Sequence, residues 1–211
     1  MTQMSLLNGG NRLNENKNET MKREKRAMIL DTARGIFGQK GYANVTMADI
    51  VSACGISRGG LYLYFPSIEE LFQEVVIDQS KQKFAIINQR VANQEPFEEI
   101  FTQYLDLQKT RLLNIDDSIL VATYEYYNSH QETEQIAFQK SYVDYLTETI
   151  RELLMLGKAQ GIILNDNIPQ LADMFIMLLE GISIFKTFNQ IDEEQINQQL
   201  SLLKQQLIYA Y

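Results

Sequence analysis

Residues 46–65, TMADIVSACGISRGGLYLYF, decide how the rest of the chain is read. Thr46 supplies a hydroxyl that caps a helix, Asp49 falls three positions on, and Met47, Ile50 and Val51 share one face of the helix that follows. Gly55 tolerates the left-handed backbone that stops such a helix, and Ile56 points back inward. Ser57 is a second N-cap and opens a second helix over 58–64, with Leu61 and Phe65 as its inward anchors. Two short helices joined by a glycine-containing turn, with an inward apolar residue on either side, form a helix-turn-helix. The second helix of that motif enters a DNA major groove.

The outer surface of this second helix carries Ser57, Arg58, Gly59, Gly60, Tyr62, Leu63 and Tyr64. Each of two adjacent glycines costs about 1 kcal/mol relative to alanine inside a helix, so their presence asks for a reason. Close approach of the backbone to the groove floor or the sugar–phosphate wall supplies one. Arg58 then reaches a guanine edge or a phosphate, and the tyrosine hydroxyls donate to phosphate oxygens. Together with Thr46 these are the candidate DNA contacts. The plainer reading is a short connecting helix with accidental glycines.

Residues 29–72 resemble the N-terminal DNA-binding domain of the tetracycline-repressor (TetR) family. The resemblance is carried by Phe37, Gly41-Tyr42, Thr46, Ile50, Gly55, Ser57, Leu61-Tyr62, Tyr64-Phe65, and Glu70-Leu71 after Pro66-Ser67. It implies an all-helical homodimer in which three helices of each subunit bind DNA and a larger helical domain holds an effector pocket and the dimer interface. Ile68 departs from the family pattern, which has lysine just after Pro-Ser, so that lysine's phosphate contact does not carry over.

The net charge of −8 argues against DNA binding, but its distribution does not. Residues 1–66 hold nine Lys/Arg against five Asp/Glu, a net of +4, and the remainder ten against twenty-two, a net of −12. A basic head on an acidic body orients the molecule on a polyanion. The single cysteine, Cys54, excludes an internal disulfide and reads as a small filler, while the lone histidine, His130, leaves no zinc cluster. No apolar run reaches bilayer length and residues 1–20 lack a secretory core, so the expectation is a cytoplasmic protein with no membrane partner.

In order, residues 1–20 read as a mobile tail, 21–66 as the DNA-binding domain, and 67–211 as an effector-binding and dimerisation domain, with about nine helices in all. The first helix begins near Thr20 and ends at Gly41. Ser67 and Glu70 form a capping box for a fourth helix running to about Asn93, which links the reading head to the acidic domain. Further helices open at Pro96, at Asp116 or Asp117, near Glu132, at Asn167 and at Asp192. Residues 171–185 are apolar on almost every side, so one face meets the subunit's own core and the other a second copy. The predicted dimer face comprises Met177, Ile184, Leu200, Leu203 and Leu207. A monomer that covers the eighth helix with the ninth is the alternative.

The acidic domain shows no phosphate loop, paired catalytic carboxylates or activated nucleophile, and Gly157 and Gly161 read as helix-end glycines. The reading is therefore a non-enzyme without cofactor or metal. Tyr104, Gln108, Tyr124, Tyr127, Phe138, Tyr142, Met174 and Phe175 are candidate lining for a pocket that takes a hydrophobic or aromatic effector. Glu125 and Glu180 sit among apolar neighbours, where a rim position is expected. The expected function is a repressor released from a palindromic operator by that effector. A helical lipid- or drug-binding protein with a vestigial head is the competing class, and an enzyme using the same cavity is a third.

Overall fold

The computed structural model describes residues 6–115, 119–129, 132–188 and 191–209. Asp116, Asp117 and His130 lie outside them. The described residues form nine helices and no strand: α1 (Leu6–Lys40), α2 (Met47–Cys54), α3 (Arg58–Tyr62), α4 (Ile68–Ala92), α5 (Phe97–Leu113), α6 (Ile119–Ser129), α7 (Thr133–Ala159), α8 (Ile168–Thr187) and α9 (Glu193–Tyr209).

Local chemistry sets these boundaries. Thr46 and Asp49 cap α2 reciprocally, Gly55 ends it at φ 62°, and the Ser57 hydroxyl accepts from the Gly60 amide to start α3. Ser67 accepts from the Glu70 amide at 3.0 Å to start α4, which is capped at Asn93. Asp192 and Gln195 exchange hydrogen bonds at the head of α9. Two boundaries differ from expectation. Helix α1 begins at Leu6, well before Thr20, although residues 8–18 include five asparagines and two glycines; the stretch contains no proline to break it, and Glu19 and Arg23 lie one turn apart. Helix α3 stops at Tyr62, and Leu63 and Tyr64 continue as a turn closed by the Tyr64 amide on Leu61.

Two hydrophobic cores form, and neither breaks at Pro66. The first gathers Ile29, Phe37, Ile50, Leu61 and Phe65 of the N-terminal helices, Leu71, Phe72 and Val75 from the start of α4, and Ile119, Ala122 and Tyr126 of α6. The second joins the far half of α4 to α5, α7, α8 and α9. Helix α4 therefore contributes to both cores, while α6 packs in the first. Gly157 lies inside α7 and not at its end, and a Cβ there would sit 2.8 Å from the Phe97 ring. Its role is close packing.

The dimer-face expectation needs correction for α9. Leu200, Leu203 and Leu207 are buried inside their own subunit, Leu203 with 1% of its surface exposed, because that stripe faces the core against α5. Met177 (73% exposed) and Ile184 do face outward on α8, joined by Phe185 and Phe188. Helix α8 is also apolar and long enough, by composition alone, to cross a bilayer, contrary to the sequence expectation. It nonetheless carries Asp173, Glu180 and Lys186, and its inner face is closed by α5 and α7.

Replacing Gly157 by alanine is expected to cost about 1–3 kcal/mol through overpacking against a fully buried ring. Equilibrium denaturation checks this; an unchanged midpoint would contradict it.

Candidate functional site

The helix-turn-helix is held by its inner residues and presents its outer ones. Leu61 and Phe65 are buried, as their spacing predicts, while Ser57, Arg58, Gly59, Tyr62 and Leu63 are exposed, Leu63 at 82%. Gly60 and Tyr64 are half-buried. The two glycines differ in their reasons. A Cβ at Gly60 would come within 3.0 Å of the Ser57 hydroxyl, so glycine there protects the cap; a Cβ at Gly59 would meet open space. Among the described residues nothing would meet a Cβ at 59. The Thr46 and Ser57 hydroxyls are engaged in capping, and the Arg58 guanidinium lies 5.5 Å from the Tyr62 ring centroid, one turn along the same face.

Basic side chains flank this surface. A groove between α1 and the end of α3 is lined by Asn18, Met21, Lys22, Lys25, Leu63 and Tyr64, which places Lys22 and Lys25 beside the reading helix. Three other cations of the head have internal duties. Arg26 pairs with Glu74 at 2.9 Å and stacks over Phe65, Arg34 pairs with Asp31, and Lys40 reaches Asp49 at 2.7 Å. The Lys40 contact, followed by the Thr46 hydrogen bonds, holds the Asp49 carboxyl well below the usual carboxylate range. Half-buried Cys54 has its thiol pushed up by burial, which suits a filler.

The head is fastened to the body at the end of α1. Gly41, at φ 75°, leaves room where a Cβ would collide with the Glu125 carboxylate of α6. That carboxylate accepts the Tyr42 amide at 2.7 Å and the Ala43 amide at 3.4 Å. Glu125 is thus a structural latch and not a pocket rim, a role hidden in the sequence by a separation of 83 positions. Around it the rings of Tyr42, Phe72 and Tyr126 meet edge-on or tilted, with centroids within 5.2 Å of one another. The buried Tyr126 hydroxyl donates to Glu69 and accepts from Gln73; burial pushes its pKa up to about 12, so it stays a neutral donor.

A cavity of about 50 Å³ lies between α4, α5, α6, α7 and α8. Of the candidate effector residues, Tyr104, Gln108 and Tyr142 line it, with the Tyr142 hydroxyl 2.8 Å from that of Ser80. Tyr124 stands behind Glu180, which it reaches at 2.9 Å. Tyr127 and Phe138 pack instead with the N-terminal core around Tyr126. Phe175 is core packing against Phe101 and Tyr104, and Met174 points out of α8. Tyr127 on α6, Phe138 on α7, and Met174 and Phe175 on α8 do not line the space. Sequence reading missed the charged lining, Lys83 and Arg111, because long cations on helices usually mark solvent-facing positions.

A presented helix-turn-helix fastened to an all-helical body defines a DNA-binding regulator. The bacterial regulatory proteins of the tetR family match over residues 29–75. The HTH-type transcriptional regulator YfiR of Bacillus subtilis (strain 168) is 30% identical over 141 residues, covering 66% of this chain and 68% of YfiR. An Escherichia coli (strain K12) protein named "Probable acrEF/envCD operon repressor" is 25% identical over 161 residues, 74% of this chain and 71% of that protein. A transcriptional regulator from Saccharomonospora viridis, solved in complex with choline, shares the fold with a TM-score of 0.69 at 22% identity, over 89% of this chain and 97% of that one. The chain belongs to the tetR family and is a DNA-binding transcriptional regulator.

Because the folded-state pKa of Asp49 is depressed, its contribution to stability is present above the ordinary value of about 3.9 and is lost as pH falls below it. The stability advantage of the wild type over Asp49→Asn should be constant above about pH 5 and shrink below about pH 4. Thermal melts across that range check this; an advantage independent of pH would contradict it.

Proposed function

We propose that the protein is a repressor that binds a two-fold symmetric operator as a homodimer and releases it when a small molecule occupies the cavity beside α4. The observation that carries this reading is the outward face of α3, where Arg58, Gly59 and Tyr62 are presented beside Lys22 and Lys25 and a Cβ at 59 would meet open space among the described residues. The relative named as an operon repressor and the structural neighbour solved with choline support the same direction. A second copy is supported by the uncovered apolar face of α8, Met177, Ile184, Phe185 and Phe188. Reading two half-sites a helical turn apart requires such a pair.

The release step follows from shared walls. Gln79, Ser80, Lys83 and Phe84 of α4 line the cavity, while Leu71, Phe72 and Val75 of the same helix sit in the core of the head. Ile119 and Thr123 of α6 face the cavity, and Ala122 and Tyr126 of α6 join the head. Small-molecule sites run to roughly 300 Å³ and more, so a cavity of about 50 Å³ must widen to hold a guest, at the expense of the spacing of the α4 and α6 walls. Weakening DNA binding a hundredfold takes about 3 kcal/mol of differential affinity of the guest for the spread state.

Selection from random duplexes should return a two-fold symmetric site, and binding should fall steeply with salt. Arg58→Ala and Tyr62→Ala should each lose about 1–3 kcal/mol of affinity for it. Gel shifts across salt concentrations check both, and unchanged affinity in the variants would favour a vestigial head. Phe185→Glu should sediment as a monomer and lose cooperative binding to the full site; a dimer that persists would move the interface elsewhere.

A further inference from the structure

The cavity beside α4 is lined by two cations, Lys83 and Arg111, and one carboxylate, Glu180. That carboxylate is already shared. One oxygen lies 3.4 Å from Arg111 Nη1 and the other accepts from the Tyr124 hydroxyl at 2.9 Å. Arg111 Nη2 donates to the Ser183 hydroxyl at 2.9 Å, and its buried Nε has no acceptor among the described residues. Lys83 has no ion-pair or hydrogen-bond partner among the described residues. It stands where the cavity meets an outer groove of about 250 Å³ that shares Gln79, Lys83, Phe84, Gln108 and Arg111 with it. Cavity and groove together approach the lower end of the size range of small-molecule sites.

An orphaned buried donor costs about 1–3 kcal/mol, and more when it belongs to a charged group. Desolvation, then the like charges of Arg111 and Arg34, push the Lys83 ammonium down to about 8. Lys83 itself is exposed at the mouth of the groove. Lys83 and Arg111 would both be satisfied by one anion placed between them, whereas a cationic guest would add a third positive charge beside a carboxylate that is already engaged. The opposite walls, Phe84, Leu146, Ile176 and Leu179, are apolar.

We propose that this site takes a small organic carboxylate, its acid group held by Lys83 and Arg111 and its apolar part laid against α4, α7 and α8. The inference deepens the effector reading above and rests on it only for the consequence of binding. Calorimetry on the full chain with benzoate, benzamide and benzylamine, and with hexanoate, hexanamide and hexylamine, tests it. At least one acid should bind tenfold or more tightly than its amide, and neither amine should bind. Lys83→Met should weaken the acid at least tenfold while leaving the amide unchanged, and Lys83→Glu should turn the preference toward the amine. An amide that matches its acid, an amine that binds best, or a series in which nothing binds overturns the proposal. Operator affinity followed by fluorescence anisotropy separates the two readings. Acids that bind through Lys83 without releasing DNA leave the carboxylate site standing and defeat the effector reading, whereas DNA held with no acid bound defeats only the carboxylate.

Discussion

The Glu125 carboxylate on the Tyr42 amide is the contact on which the arrangement depends. A helix C-terminus leaves carbonyls unpaired, and the turn after it exposes amides that need acceptors. Here a charged acceptor from a distant helix satisfies two amides at the end of α1, and the left-handed Gly41 makes room for it. Charge-assisted bonds of this kind are stronger and more directional than neutral ones. The rings of Phe37, Tyr42, Phe72 and Tyr126 close around the joint, so the angle between the reading unit and α6 is set by packing as well as by the bond.

Because of that joint, the head is not a bead on a string. Its core contains the first turns of α4 and the inner face of α6, and both helices reach the cavity with their remaining residues. A change in the spacing of α4 and α6 at the cavity is thus a change in the walls of the head's own core. Packed cores resist continuous deformation and favour discrete arrangements. A guest that stabilises one arrangement over another acts on α3 without touching it.

Much of this was legible in the sequence wherever the determinant is local. The Thr46, Ser57 and Ser67 caps, the stops at Gly41 and Gly55, and the inward Leu61 and Phe65 depend on residues within a few positions of one another. What escaped depends on partners far away in sequence. Periodicity identified the Leu200, Leu203 and Leu207 stripe but not whether α5 or a second copy covers it. Tyr127, Phe138 and Phe175 have the right chemistry for a pocket but do not line it. Lys83 and Arg111 resemble surface charges until α4 and α5 are brought together, and Gly157 resembles a stop until Phe97 is seen against it. The reason for Gly60 is local, yet it lies in the geometry of the Ser57 cap and not in the residue pattern.

The central claim is that α6 and the DNA-reading helices form one cooperative body. Native-state hydrogen exchange resolved by residue tests it most directly, because segments that open together share one opening free energy. Buried positions of the head and of α6, such as Ile50, Leu61 and Ala122, should exchange through a common opening, with Tyr42 protected alongside them. If α2 and α3 open at a distinctly lower free energy while α6 stays protected, head and body are separate and the account fails.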